Sequence, residues 1–242
     1  MNDKILYSII DKYNLTEEER LSFLKIIEPI YEHEEFQRRM TDEFPHHGKF
    51  TLGEHILEDA VVTFILSKKY IKKYPENNYS LRLAVIIAML HDLYTLPWQN
   101  NKDNRVKYFF NKHGFRHPIE AVINAYNWYP DLFKKEEEAK IIIDGIVHHM
   151  FPLPVRVFDD AEENILELRN FDKEKNLLSG IKQILISSTL RNKIGKISLA
   201  KSIYLEGRIM SKADKYVSNR QIKNVSSAIA LLSGQNKSLR KK

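Results

Sequence analysis

The chain carries nine histidines, and most of them fall at the ends of amphipathic segments. The segment AMLHDLYTLPW places His91 and Asp92 at the end of an apolar run, shortly before Pro97. Imidazole and carboxylate groups are costly to bury unless something pairs with them. Both are ligands for transition metals, and carboxylates also accept harder ions. Taken alone, the pair fits a helix end with one side chain in solvent, and a metal site is the alternative that the other histidines must support.

Three more histidines and a late aspartate have comparable positions. His55 falls in the first turn of a predicted helix, His117 at a helix start and His149 at a helix end. Asp214 lies within the last long amphipathic segment. Helical bundles build metal sites from side chains on facing helices. Each residue alone fits a helix cap or a surface position, whereas their joint placement favours a metal site.

Helices must position these residues, and apolar periodicity predicts helix almost throughout the chain. Capping boxes begin two of the helices, at Thr16 with Glu19 and at Thr51 with Glu54, and Ser80 begins a third. The chain shows no clear strand alternation, glycine-rich phosphate loop or internal repeat. The predicted fold class is therefore all-α, a bundle of about eight or nine helices.

Further helix boundaries follow from prolines and amphipathic runs. His117 is predicted to cap a helix with Pro118 at its first position, where proline is favoured. The segment LTEEERLSFLKIIEPIYEHEEFQRRM is predicted as helix, as is KKEEEAKIIIDGIVHHM, which has its acids in the first half. Three other segments are amphipathic: DDAEENILELRNF, LLSGIKQILISSTL and SLAKSIYLEGRIMSKADKYVSN.

Composition limits the class of protein. The 242 residues are 43% hydrophobic, which is enough for a sizeable core, and no run reaches the roughly 18 apolar residues of a membrane span. The chain has no cysteine, and its N-terminus lacks the pattern of a signal peptide. We therefore expect a cytoplasmic protein. The net charge of +6 favours anionic ligands but is too small to indicate nucleic acid.

The ordered residues resemble the signature of the HD superfamily of metal-dependent phosphohydrolases. That signature is a histidine, a His–Asp pair and a distant aspartate, with two further histidines in binuclear members. The matching segments here are LGEHILEDAVV, MLHDL, HGFRHPIEAVINA, IVHHMFPL and ADK. HGFRHP and HMFPL look closest to small bacterial HD-domain proteins whose substrates are poorly defined. The metal ligands implied by the resemblance are His55, His91, Asp92, His117, His149 and Asp214.

The resemblance covers roughly residues 44–155 and the segment around Asp214. It implies an HD-type metal-binding domain over 44–220, including inserted helices over 156–208. Residues 1–43 would be an N-terminal helical extension, and 221–242 a C-terminal helix and basic tail. Many HD hydrolases have a lysine shortly after the His–Asp pair, but this chain continues LYTLPWQ. That departure counts against the cyclic-dinucleotide and dinucleoside-polyphosphate branches.

The resemblance also implies a distribution of the ligands between two ions. Asp92 would bridge from the first ion to a second, which His117 and His149 would complete. The first ion would be held by His55, His91, Asp92 and Asp214. One or two divalent transition metals are expected, with iron or manganese favoured and zinc, nickel, cobalt or magnesium as alternatives. Such a cation lowers the pKa of water from 15.7 to about 7, which makes hydroxide available at neutral pH.

Several neighbouring residues are secondary candidates. The catalytic candidates are Asp92, Arg116 and Lys215. Arg116 and Lys215 each adjoin an implied ligand in the sequence, and each could offset phosphate charge or be a solvated surface residue. His148 replaces His149 as ligand if the helix ends one residue earlier. His113 could contact phosphate or be an ordinary loop residue. Glu58 and Asp59 could orient His55 or form a pair on the helix surface. Four aromatic residues could line a nucleobase pocket or belong to the core: Trp98, Tyr108, Phe109 and Phe110.

The resemblance implies a metal-dependent phosphohydrolase that cleaves a phosphomonoester or phosphoanhydride of a small phosphorylated molecule, such as a nucleotide. One alternative is a regulatory HD protein that senses a nucleotide without turnover. Another is an HD-type di-iron oxygenase, which the ligand set does not separate from a hydrolase. Neither a membrane nor nucleic acid is expected as a partner, and the sequence predicts no oligomeric state.

Overall fold

The structure is a computed structural model that describes residues 3–95, 113–156, 193–194 and 197–239. Most of these residues are helical, which confirms the all-α fold class. The helices are α1 (Asp3–Asp11), α2 (Glu17–Tyr31), α3 (Glu34–Arg39), α4 (Leu52–Lys73), α5 (Leu81–Leu90), α6 (His113–Trp128), α7 (Glu136–Val147) and α8 (Leu205–Leu239). A 3-10 turn over Pro130–Phe133 precedes α7.

Side-chain caps set the starts of three helices as the sequence predicts. Thr16 accepts a hydrogen bond from the Glu19 backbone N–H while the Glu19 carboxylate accepts from the Thr16 N–H. Thr51 and Glu54 repeat this arrangement at α4, the helix that carries His55. Ser80 caps α5 by accepting from the Leu83 N–H. The caps satisfy backbone donors that the first helical turn leaves unpaired.

Three predicted helix boundaries are wrong. The last amphipathic segment was predicted as helix from Ser198, but Ser198 lies in a strand and the helix begins at Leu205. Helix α6 begins at His113, so His117 and Pro118 lie inside it rather than at its start. The segment predicted as one helix after Thr16 is divided into α2 and α3. His33 adopts an extended conformation there, and its Nδ1 accepts from the Glu35 N–H, which starts a new helix.

Short strands accompany the helices, although the sequence showed no strand pattern. β1 (Pro45–His46) and β2 (Phe50–Thr51) form an antiparallel hairpin just before α4. β3 (Val155–Arg156), β4 (Lys193–Ile194) and β5 (Ile197–Ser198) form an antiparallel sheet in the order β3–β5–β4. Two-residue strands are too short to show the alternation that predicts a strand.

Helices α4 and α5 lie at the centre of one hydrophobic core. The same core includes Leu6 from α1, Phe23 from α2 and Phe36 from α3, so the predicted N-terminal extension packs into the bundle. Helix α8 contacts α4, α5 and α7. A Cβ on Gly207 would lie 2.6 Å from the Gly145 Cα, so glycine permits the close approach of α8 to α7.

Some predictions fall outside the described residues or at their edge. The predicted helices over 159–171 and 177–190, and the aromatic candidates Trp98, Tyr108, Phe109 and Phe110, lie outside them. The predicted domain boundary after residue 220 falls within α8, which continues through it. Among the described residues, the helices include none with the length and apolar character needed to cross a membrane.

Candidate metal centre

Helices α4, α5 and α8 bring the first group of donors together. His55 and Asp59 are four residues apart on α4 and therefore share a face, with His55 Nε2 lying 3.0 Å from Asp59 Oδ2. His91, which ends α5, places its Nε2 3.4 Å from the same Asp59 oxygen. From α8, Asp214 Oδ1 reaches within 3.7 Å of His55 Nε2. These four buried residues could together hold a metal ion.

Asp92 lies between this group and a second one. Its Oδ2 is 3.9 Å from His55 Nε2 and 3.7 Å from His91 Nε2. Its Oδ1 instead faces α6 and the end of α7, at 3.1 Å from His117 Nε2 and 3.6 Å from His149 Nε2. The two oxygens of one carboxylate therefore point at two separate sets of histidines.

The four site histidines share one orientation. Each presents Nε2 to the carboxylates and lies with Nδ1 within hydrogen-bond distance of an oxygen that can only accept. A metal-binding histidine is typically fixed in this way, because the proton on one nitrogen leaves the lone pair of the other free. The Nδ1 distances are 3.1 Å from His55 to Gln221 Oε1, 2.8 Å from His91 to Ala88 O, 3.2 Å from His117 to His113 O and 2.7 Å from His149 to Ile146 O.

Gln221 connects His55 to a charged cluster behind the site. Its side-chain N–H donates to Glu58 Oε2 at 3.0 Å, so its oxygen is left to accept from His55. Glu58 Oε1 also pairs with Lys12 at 2.6 Å and forms an ion pair with Arg220. Burial alone would raise the pKa of Glu58, but hydrogen bonds from Arg220, Lys12 and Gln221 lower it to about 2.

The electrostatics of the site favour a cation. Burial raises the pKa of Asp59 well above its usual range, and the nearby Asp214 and Asp92 raise it further. Burial also raises the pKa of Asp214. Burial would lower the pKa of His117, but the Asp92 carboxylate outweighs it and raises that pKa. Three buried carboxylates thus repel one another, and a cation between them would relieve the repulsion.

Unpaired buried atoms test whether a metal fits these residues. Within the described part of the chain, His91 Nε2, Asp92 Oδ1 and both oxygens of Asp59 have no hydrogen-bond partner of suitable geometry. His117 Nε2 and His149 Nε2 are 3.0 Å apart, although the contacts of both Nδ1 atoms leave a lone pair on each Nε2. Unpaired buried polar groups call for an ion or water. The donors present therefore fit a metal ion.

A cavity of about 400 Å³ opens onto this group. His55, Asp92, His117, His149 and Asp214 contribute to its wall, so five of the six predicted ligands line it and His91 lies behind them. The remaining lining residues are His46, His47, Tyr94, His113, Gly114, Met150, Pro152, Leu153, Lys215, Ser218 and Asn219.

The secondary candidates differ in whether they line the cavity. Lys215 lines the cavity, with its Nζ donating to Phe151 O and to Ser211 Oγ, whereas Arg116 is half-buried and is not among the lining residues. His113 lines the cavity. His148 points elsewhere, because its Nδ1 lies 3.2 Å from Asp144 Oδ1.

Three residues beside these donors, Asp59, His46 and His47, were not predicted as members of the site from the sequence. Asp59 was expected as an outer partner of His55 or a surface residue, but it is buried and faces the same Nε2 as the other carboxylates. Its spacing of four residues from His55 was the available signal. His46 and His47 lie in a segment that offered only the dipeptide itself as a signal.

Comparisons with protein-family models, with curated proteins and with solved structures find no match to this chain.

Proposed function

We propose that the protein is a metal-dependent phosphohydrolase of the HD type, which cleaves a phosphomonoester or phosphoanhydride of a small phosphorylated molecule such as a nucleotide. The observation that carries the proposal is the placement of Asp92 between two sets of histidines. A carboxylate that can bridge two cations is typical of centres that stabilise the attacking and leaving oxygens of a displacement at phosphorus.

The chain's own residues have separate tasks in this proposal. His55, His91, Asp59 and Asp214 would hold one divalent ion, and His117 with His149 a second, with Asp92 shared. When bound, such ions supply hydroxide from water at neutral pH and neutralise charge on phosphate oxygens. Lys215, at the cavity wall, adds a positive charge near an anionic substrate. Iron or manganese is favoured for this mixture of imidazole and carboxylate donors.

Elemental analysis followed by a phosphate-release screen tests the proposal. We expect bound transition metal, and release of phosphate from some member of a panel of nucleotides and other phosphomonoesters. Activity should rise with manganese or iron and disappear with a chelator. Asp92→Asn, which preserves size but removes the charge, should abolish release, whereas Lys49→Gln on the hairpin turn should not.

The alternatives predict different outcomes in the same experiment. A metal-loaded protein that binds nucleotides but releases neither phosphate nor nucleoside would favour a nucleotide sensor. Consumption of oxygen by an iron-loaded sample, with no phosphate release, would favour a di-iron oxygenase. Either result would overturn the hydrolase proposal.

A further inference from the structure

His46 and His47 line the cavity but belong to neither of the two sets of histidines that face Asp92. His46 is buried and His47 is half-buried, and both come from the β1–β2 hairpin. Their rings lie 4.0 Å apart between centroids, and the His46 ring lies 4.3 Å from that of His55. They therefore lie beside the proposed metal centre and face the same space.

The backbone of the hairpin holds His47 in an unfavourable conformation. His47 has a φ of 40° and the following Gly48 a φ of 82°, both in the left-handed region. For a residue other than glycine this conformation is unfavourable, because Cβ approaches the following carbonyl oxygen. The paired residues His46 and Phe50 close the turn. Strain of this kind persists where the surrounding structure enforces it, and it is concentrated at functional sites.

His46 carries an unused polar atom. Its Nδ1 lies 3.4 Å from the Tyr94 hydroxyl, but its Nε2 is buried and has no hydrogen-bond partner within the described residues. A buried polar atom without a partner destabilises the fold, because it has lost its hydrogen bonds to water. A ligand in the cavity that accepts or donates a hydrogen bond would remove that cost.

Coordination of a third ion by His46, His47 and His55 is the obvious alternative, because their nitrogens lie within 4.8 Å of one another. The arrangement of His55 argues against it. Its Nδ1 contacts Gln221 and its Nε2 faces Asp59 and Asp214, so neither nitrogen is available. The His46 ring is also only 33° from parallel with the His55 ring. Imidazole lone pairs lie in the ring plane, and two rings that face each other at this angle with centroids 4.3 Å apart do not direct them at one point.

We infer that His46 and His47 form an oxyanion-binding wall of the cavity, which hydrogen-bonds an oxygen of the phosphoryl group of the substrate without coordinating metal. This inference rests on the proposed function, because the phosphoryl group is the ligand that the proposal brings to this cavity. Hydrogen bonds to an anion are about twice as strong as those between neutral groups, so two imidazole N–H groups would contribute strongly to binding.

Binding of inorganic phosphate to the full, manganese-loaded chain tests the inference without turnover. Calorimetry should show that His46→Phe and His47→Phe each weaken phosphate binding by about tenfold or more, since hydrogen bonds to charged groups are worth about 1.5–3 kcal/mol. Elemental analysis should show the parent's metal content in both variants. His46→Gln, which returns an N–H near the position of Nε2, should restore much of the affinity. His33→Phe, at the start of α3 and outside the cavity lining, serves as the matched control.

Three results would overturn the inference. They are unchanged phosphate affinity in both Phe variants, loss of one metal equivalent from them, and absence of phosphate binding to the metal-loaded parent. Phosphate binding that depends on both histidines, in a protein that hydrolyses no ester, would leave the inference standing while the proposed function fails. Ester hydrolysis by variants that bind phosphate like the parent would refute the inference alone.

Discussion

At the scale of single residues, Gln221 determines which nitrogen of His55 carries the proton. Its amide nitrogen donates to Glu58, so its oxygen can only accept from His55 Nδ1. The lone pair of His55 is thereby directed from Nε2 towards Asp59 and Asp214. An amide in this position orients the ligand without adding negative charge to a region that already contains three carboxylates.

Replacing Gln221 with leucine should weaken metal binding by about 10–100-fold, the usual effect of losing an outer partner of a ligating histidine. Titration with cobalt, followed by its visible absorption, measures this affinity. Gln37→Leu is the matched control, because Gln37 donates to Tyr31 O far from the site. Equal cobalt affinity in the Gln221 and Gln37 variants would show that Gln221 does not orient His55.

The neighbours His148 and His149 should differ in their effect on metal content. His149 faces Asp92 and His117, so His149→Ala is expected to lower the content towards one ion per chain. His148 faces Asp144, whose other oxygen accepts from the Ile203 N–H, so His148→Ala should reduce stability and leave the metal content unchanged. Elemental analysis of the two variants measures the metal content. Loss of metal from the His148 variant and not from the His149 variant would contradict the assignment of His149 as the ligand.

The sequence predicts which side chains lie together better than it predicts their surroundings. Order and context singled out His55, His91, Asp92, His117, His149 and Asp214 as ligand candidates, and the structure brings all six side chains together. Asp59 was not assigned to the centre, because its burial depends on α8 covering α4, which no local pattern reveals. His46 faces the cavity only because the hairpin turns there.

At the scale of elements, Glu58 holds α1 and α8 against α4. It pairs with Lys12, which directly follows α1, and with Arg220 and Gln221 on α8. The helices that would hold the first ion are thus joined through a carboxylate outside the set of ligands. The lowered pKa of Glu58 makes this junction dependent on pH.

Stability should fall as acid protonates Glu58. Its folded-state pKa is about 2 against an ordinary value of 4.5, so its contribution is complete above about pH 4.5 and is lost as the pH falls towards 2. Glu58→Gln should lower the free energy of unfolding at pH 7 by about 1–3 kcal/mol, through loss of charged hydrogen bonds. Urea unfolding in the presence of chelator at several pH values measures both effects.

Glu18→Gln, on the exposed surface of α2, is the reference for that experiment. The difference in stability between the Glu58 variant and the parent should shrink as the pH falls below 4.5. A difference that stays constant down to pH 2 would mean that the ionised form of Glu58 does not support the junction.

Helix boundaries were predictable where a side chain caps the helix locally. Thr16, Thr51 and Ser80 each bond to a backbone N–H three residues ahead, and this information is contained in four consecutive residues. The start of α6 was misplaced because proline is favoured in the first turn, which made Pro118 an apparent boundary. The extra turn before it brings His113 to the cavity.

At the scale of the whole molecule, metal binding should stabilise the fold. A ligand that binds only the folded chain adds about 2.7 kcal/mol at a concentration of 100 times its Kd. For a chain of this size that corresponds to a rise of about 5–10 °C in Tm. The double variant His91→Ala, Asp92→Ala should lose the metal and the rise in Tm while retaining most of its helicity by circular dichroism.

The parent protein in chelator is the matched reference for the double variant. Both samples lack the ion, so their difference in Tm reports the substitutions alone. A rise in Tm with manganese that is equal in parent and double variant would place the stabilising ion elsewhere.

The arrangement of the bundle was less predictable than its class. Periodicity identified helices, and it could not reveal that Leu6 and Phe23 share a core with α4 and α5. Residues 1–43 were set apart because they contain no predicted ligand, yet α1 reaches the centre indirectly through Lys12 and Glu58. Contacts between distant segments depend on the packing of the whole bundle.

The route of the chain through the centre also suggests that a bound ion would act as a reversible cross-link. His55 and Gln221 lie 166 positions apart, and no disulfide can close that loop because the chain has no cysteine. An ion shared by His55 and Asp214 would close almost the same loop and restrict the unfolded chain as a cross-link does. Unlike a disulfide, this closure would follow the supply of free cation rather than the redox state of the surroundings. Removal of the ion would then break the link between α4 and α8 and separate the residues of the centre at the same time.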